Sequence, residues 1–181
     1  MYILFLSLVV LVSCGNSSSE TKEDSSIKRT NKDLYQLQKT VYYLIRHSEK
    51  DRSVSGNNQH LNDIGKKRAE NWAQYFKDIA LDEVYATRFH RTQETARPTA
   101  NSKNLNIKSY SVGKLYTNSF QKKTNGKSVL IVGHSDSTPQ LVNKILGENK
   151  FGAIDDSENG MLYIITIENG EKSVEEKKIS F

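Results

Sequence analysis

Two short runs carry residue types suited to phosphoryl chemistry: Arg46-His47-Ser48-Glu49 and Gly133-His134-Ser135-Asp136. A third run, Thr87-Arg88-Phe89-His90-Arg91-Thr92, lies between them in the chain. A neutral imidazole is a competent nucleophile near neutral pH. A guanidinium presents planar, paired donors that match the oxygens of a phosphate. Two histidines and two or three arginines in one crevice therefore make an anion site. A zinc site built on His47 and His134 would want a third ligand with its own motif, and the sequence has none.

Grouping these runs is a task for the elements that precede them. Val41-Tyr42-Tyr43-Leu44-Ile45 and Ser128-Val129-Leu130-Ile131-Val132 are continuous apolar runs that read as buried central strands. Glu83-Val84-Tyr85-Ala86 reads as a shorter strand before the third run, and Thr92 to Ala100 as a helix interrupted at Pro98. Ligands of open parallel sheets bind outside the carboxyl ends of the strands. His47 and His134 are therefore expected to face each other, with a helix N-terminus near Arg91 adding a favourable dipole. Asn62 or Asp63 caps a further helix, whose face is expected to carry Ile64, Ala69, Trp72, Ala73 and Phe76. Asn106 to Tyr110 alternates weakly, as a strand would, and residues 113–127 are polar and carry no assignment. Thr138 to Leu146 reads as a helix ended by Gly147. Met161–Ile167 and Val174–Ile179 read as a hairpin around Asn169-Gly170. Strands alternating with helices imply an α/β layered fold with a mostly parallel sheet.

Four ordered motifs carry a family resemblance. Arg46-His47-Ser48 resembles the Arg-His-Gly signature of the histidine phosphatase superfamily, also called phosphoglycerate mutase-like, in its branch 1 form. Leu61-Asn62-Asp63-Ile64-Gly65 with Ala69 resembles that family's helix start. Tyr85-Ala86-Thr87, Arg91-Thr92 and Thr95-Ala96 resemble its second arginine stretch, and Val132-Gly133-His134 its second histidine motif. The resemblance implies a three-layer α/β sandwich with a mostly parallel central sheet. It implies a phosphatase that forms phosphohistidine on His47, with Arg46, Arg91 and His134 on the phosphoryl oxygens and no metal or other cofactor. Ser48, Ser53 and Arg88 are the expected substrate-binding residues, although Arg88 and His90 suit an exposed face equally well. His60 reads as an ordinary loop residue.

The chain also departs from the family pattern. Ser48 stands in place of glycine, and Ser53 stands where an asparagine is frequent. Many relatives carry a glutamate acid in the stretch corresponding to Lys114–Thr124, which here holds no Asp or Glu. Asp136 is the leading candidate for protonating the leaving group, and capping the following helix would suit it equally. Glu49 is the weaker candidate. The alternative to an enzyme is a degenerate relative that binds phosphorylated ligands without turnover.

Composition fits one globular domain behind an address. Of 181 residues, 36% are hydrophobic and 26% charged, which excludes a disordered or membrane-embedded chain. The net charge is +5, but the basic residues form no long block and no nucleic-acid motif, so no nucleic-acid partner is expected. The single cysteine, Cys14, closes no intramolecular disulfide. The apolar run Ile3–Val12 falls short of the roughly 20 residues of a spanning helix and suits a signal peptide, although no Lys or Arg precedes it. Leu11-Val12-Ser13-Cys14 resembles a bacterial lipobox, which implies cleavage before Cys14 and a diacylglycerol on its sulfur. Residues 1–13 are thus expected to be a lipoprotein signal peptide, 14–38 a flexible tether and 39–181 the phosphatase domain. The domain would be membrane-anchored in the cell envelope outside the cytoplasm, where its substrate is a phosphorylated small molecule or phosphoprotein. A glycolytic mutase role does not fit that place.

Overall fold

The computed structural model describes residues 38–181, so Cys14, the signal peptide and all of the tether before Gln38 lie outside the described residues. Within them the chain runs β1 (Thr40–Arg46), α1 (Asp63–Tyr75), β2 (Glu83–Thr87), α2 (His90–Ser102), β3 (Ile107–Tyr110), α3 (Asn118–Thr124), β4 (Ser128–Gly133), α4 (Ser137–Leu146), β5 (Met161–Glu168) and β6 (Glu171–Lys178). These strands form one sheet in the order β3-β2-β4-β1-β5-β6. β3, β2, β4 and β1 pair in parallel, while β5 runs antiparallel to both β1 and β6. Asn169 and Gly170 both take positive φ, as a two-residue type I′ hairpin turn requires.

Period-2 alternation along the central strands divides the core between the two faces of the sheet. Tyr42, Leu44, Val129 and Ile131 pack with Phe120 of α3 and with Leu141, Val142 and Ile145 of α4. Ile45, Leu130 and Val132 pack with Trp72 and Phe76 at α1 and with Ala96 and Ala100 of α2. The result is the expected three-layer α/β/α sandwich. Each large apolar side chain buried in this way contributes roughly 1.5–3 kcal/mol. Both central strands are covered on both faces, which is why their sequences are apolar without a break.

Three local expectations are corrected. Ile64 is 64% exposed, not on the buried face of α1. It lies five residues before Ala69, which sets it more than a third of a turn away on a helix of about 3.6 residues per turn. Gly65 takes the buried place instead. Pro98 does not interrupt its helix, because α2 continues to Ser102. The missing N–H of Pro98 falls on a half-exposed side, and the packing of Ala96 and Ala100 holds the turns around it. Residues 113–127 contain α3, where the Thr117 side chain caps Phe120 N. The helix is short, and only Phe120 and Thr124 are buried, so no periodic stripe marks it.

Candidate active site

The parallel register of β1 and β4 builds the centre of the site. Arg46 is the register partner of Gly133, and His47 N donates to Gly133 O at 2.9 Å. His47 and His134 thus leave adjacent strand ends side by side, with ring centroids 5.4 Å apart and planes at 68°. β2 lies on the other side of β4 and delivers Thr87 and the start of α2. Arg91, in the first turn of α2, reaches back to place NH2 3.3 Å from Nδ1 of His134. The cleft over these strand ends comprises two contiguous cavities of about 440 and 330 Å³ that share Arg46, His47, Lys50 and Asp156.

His47 is buried, and its Nδ1 lies 2.7 Å from the carbonyl oxygen of Ser48. A carbonyl only accepts, so Nδ1 carries the proton and Nε2 keeps its lone pair. Burial pushes the His47 pKa down to about 3, opposed by the Ser48 bond and helped by the charges of Arg91 and Arg46. The ring is therefore neutral at pH 7. Its main chain is fixed by Asn159, whose Nδ2 donates to His47 O at 3.0 Å. Ser48 is fully buried, and its N–H donates to Thr95 Oγ1 at 2.9 Å. Ser48 thereby ties the loop that carries His47 to α2.

His134 accepts from Arg91 at Nδ1, which leaves Nε2–H to donate to Thr87 Oγ1 at 2.9 Å. Burial, followed by Arg91, lowers its pKa to about 4. The Arg91 guanidinium packs over the Phe89 ring at 4.5 Å and donates from NH1 to Asn57 O. Arg46 is buried at the floor. Its NH1 donates to Asp155 O and Glu158 O, and its NH2 pairs with Asp156 Oδ1 at 2.6 Å. Among the described residues, the Nε groups of Arg46 and Arg91 are both buried without an acceptor. An unpaired buried donor costs on the order of 1–3 kcal/mol.

The expected site residues do not all converge. Arg46, His47, Arg91, His134 and Asp136 all line the cleft, and Ser48 is buried directly behind His47. Asp136 caps α4 by accepting from Ser137 N at 2.7 Å, so the expected cap is present together with an exposed place on the cleft wall. Glu49 lines the cleft but is gripped by Arg68 through both oxygens. Ser53 is exposed and turns back onto Asp51, outside both cavities. Arg88 is likewise exposed and lines neither cavity, because it precedes α2 on the solvent side. Thr87, Thr95, Asp156 and Asn159 bond to His134, Ser48, Arg46 and the His47 main chain without having been assigned roles from sequence. The run Asp155-Asp156-Ser157-Glu158-Asn159 is polar and aperiodic, so nothing local tells that it folds over Arg46.

The fold is α/β and phosphoglycerate mutase-like, and the site at its strand ends is a cleft lined by Arg46, Arg91, His47 and His134. Residues 42–111 match the family model for the histidine phosphatase superfamily (branch 1). That match and the fold together support the superfamily. The structure of protein histidine phosphatase SixA complexed with tungstate is similar at a TM-score of 0.61 and 17% identity, over 76% of this chain and 96% of that one. Phosphoglycerate mutase from Bacillus anthracis str. Sterne is similar at 0.60 and 15%, over 80% and 95%. Phosphoserine phosphatase from Entamoeba histolytica is similar at 0.56 and 16%, over 75% and 94%. No curated protein matches the chain by sequence.

Proposed function

We propose that this protein is a phosphatase that hydrolyses phosphomonoesters through a phosphohistidine on His47, with no metal in the phosphoryl-transfer step. The carrying observation is the bond from His47 Nδ1 to Ser48 O, which leaves Nε2 as a neutral nucleophile beside two arginines. Nε2 attacks phosphorus as the bond to the leaving oxygen breaks. Arg46 and Arg91 stabilise the charge that develops on the phosphoryl oxygens. His134 joins them once Arg91 turns to the substrate and the ring moves its single proton to Nδ1, leaving Nε2 to accept from Thr87 Oγ1. Asp136 donates a proton to the leaving group and then accepts one from the water that cleaves the P–N bond, releasing phosphate.

The match over residues 42–111 supports this reading. The fold relatives named above include a mutase as well as phosphatases, so the fold itself does not choose between transfer to water and transfer to a second alcohol. An extracytoplasmic place favours water. A diacylglycerol on Cys14 would hold the domain at a membrane, acting on phosphorylated small molecules or phosphoproteins outside the cytoplasm. The test is phosphate release across a panel of phosphomonoesters, with the His47→Ala protein as blank and acid-labile phosphate on the enzyme as the intermediate's signature. Unchanged turnover in His47→Ala overturns the mechanism. Mass spectrometry of the membrane-extracted N-terminus tests the lipid.

One observation favours a second reading, a phospho-ligand-binding lipoprotein without turnover. Among the described residues, each carboxylate lining the cleft already has a partner: Glu49 with Arg68, Asp156 with Arg46 and Arg52, and Asp136 with Ser137 N. Asp136 commits only one oxygen, to a single backbone N–H, which keeps it the best placed as an acid. Stoichiometric phosphate binding without release from any ester would select this second reading.

A further inference from the structure

His60, His90 and Glu94 stand together on the surface beside the cleft, and phosphoryl transfer uses none of them. His90 and Glu94 are one turn apart on α2, so their side chains share a face. His60 comes from the segment between β1 and α1. Its ring stacks on His90, with centroids 4.0 Å apart and planes within 12°. One ligand atom from each of the three residues lies within 4.8 Å of the other two.

We propose that these three residues form a site for a divalent transition-metal ion of the zinc class. Two imidazoles and one carboxylate are a recurrent donor set for zinc, and such three-ligand sites leave a fourth position open to water or an anion. The group is held by more than chance proximity. Glu94 contacts His60 Nδ1 with Oε1 and accepts from Leu61 N at 2.8 Å with Oε2, which orients the carboxylate. Asp51 N donates to His60 O at 2.8 Å, and Lys50 bridges Leu61, so the main chain on both sides of His60 is fixed. His90 N donates to Asn58 Oδ1 at 2.8 Å, joining the helix to the same segment.

Tetrahedral ligands at about 2.0–2.2 Å from zinc lie about 3.3 Å from one another. The direct contact between His60 Nδ1 and Glu94 Oε1 is shorter than that, so the exposed His60 ring turns to open it and admit the ion. The ion takes the lone pair of His60 Nδ1, whose proton relocates to Nε2, together with a ring nitrogen of His90 and an oxygen of Glu94. Its consequence is local. The same segment supplies Asn57 O to Arg91 NH1, so the ion would clamp the 51–61 segment onto the helix that carries Arg91.

The test is calorimetric titration of the metal-stripped, full-length protein with zinc sulfate alone. The expected result is one equivalent bound. Affinity should fall at least about 100-fold in His90→Ala and in Glu94→Gln, since even residues that only support metal ligands cost 10–100-fold. His90 is exposed and Glu94→Gln keeps the side chain's shape, so these variants should keep the native circular dichroism. The double variant His47→Ala/His134→Ala should bind zinc as the parent does. No zinc binding by the parent overturns the proposal. So does binding that survives His90→Ala, or binding that disappears in the His47/His134 double variant. None of these readouts depends on phosphatase activity, so this proposal and the phosphatase reading fail separately.

Discussion

The imidazoles of His47 and His134 meet edge to face, 5.4 Å apart, because Arg46 and Gly133 are partners in the parallel β1–β4 register. Each ring is one residue beyond its strand. A one-residue slip would turn every β1 side chain to the opposite face of the sheet. Tyr42 and Leu44 would then face the α1–α2 layer, where Ile45 now packs. The two-sided core thus fixes the spacing of the two histidines, and the chemistry inherits it.

Removing the proposed nucleophile tests that inheritance most directly. His47→Ala should reduce phosphate release from an aryl phosphate on the order of 10⁴-fold or more, as loss of a covalent nucleophile does elsewhere. Acid-labile phosphoenzyme should vanish with it. Rapid-quench labelling with a radioactive phosphomonoester measures both.

Acid should destabilise the fold through the same rings. Burial holds His47 at about 3 and His134 at about 4, against about 6.5 in the unfolded chain. Between those values the unfolded chain binds more protons than the folded one. Stability contributed by the neutral rings is therefore complete above about pH 6.5 and is lost as pH falls towards about 3. Urea midpoints should drop between pH 7.5 and pH 5 by the equivalent of on the order of 2–4 kcal/mol. A His47→Asn/His134→Asn protein should show a flatter profile over that range.

Gly65 should reject a methyl group. A Cβ there would lie 2.1 Å from Glu49 O, which already accepts from Asn62 N at 3.0 Å and so is not free to move away. Helix propensity alone favours Ala over Gly by roughly 0.5–1 kcal/mol. Overpacking costs typically 1–3 kcal/mol and should win here, against a backbone atom. Gly65→Ala should lower Tm by roughly 5 °C or more, read by thermal melting.

Much of this was legible in the chain. Val41–Ile45 and Ser128–Val132 are apolar without alternation, as only doubly covered strands are, and each ends on a histidine. Asn62 and Gly147 do the capping their types suggest. What was hidden depends on contacts distant in sequence. Asp156 and Asn159 sit in a stretch with no period, and only the approach of β5 to β1 brings them over Arg46 and His47. Ser53 and Arg88 have suitable side chains, but their loops turn them to solvent. The pairing of His60 with His90 needs the 51–61 segment laid on α2, which no local pattern announces.

Asp136 joins a cap to an expected acid, and one substitution separates the two. Asparagine caps helices about as well as aspartate, so Asp136→Asn should leave the urea midpoint nearly unchanged. General acid catalysis is worth typically 10²–10⁴-fold. Turnover of an alkyl phosphate should therefore fall about 10²-fold or more, while an aryl phosphate with its good leaving group changes little. No loss on either ester would leave Asp136 as a cap alone.

Asp156 sets the charge that an incoming phosphate meets. Its carboxylate bridges Arg52 at the rim and Arg46 at the floor, and these two hydrogen bonds hold its pKa below the usual range. Arg46 keeps its two carbonyl partners, Asp155 and Glu158, whatever happens to Asp156. Asp156→Asn should thus keep Arg46 in place while removing one negative charge from the cleft. Exposed ion pairs are worth about 0.2–1 kcal/mol, and Asp156 is 64% exposed. Competitive inhibition by inorganic phosphate should therefore tighten about 2–5-fold in the variant, and the difference should shrink as salt screens the cleft. Weaker inhibition would mean the opposite: that Asp156 aims Arg46 at the phosphoryl group, and that its charge is worth keeping for the orientation it gives.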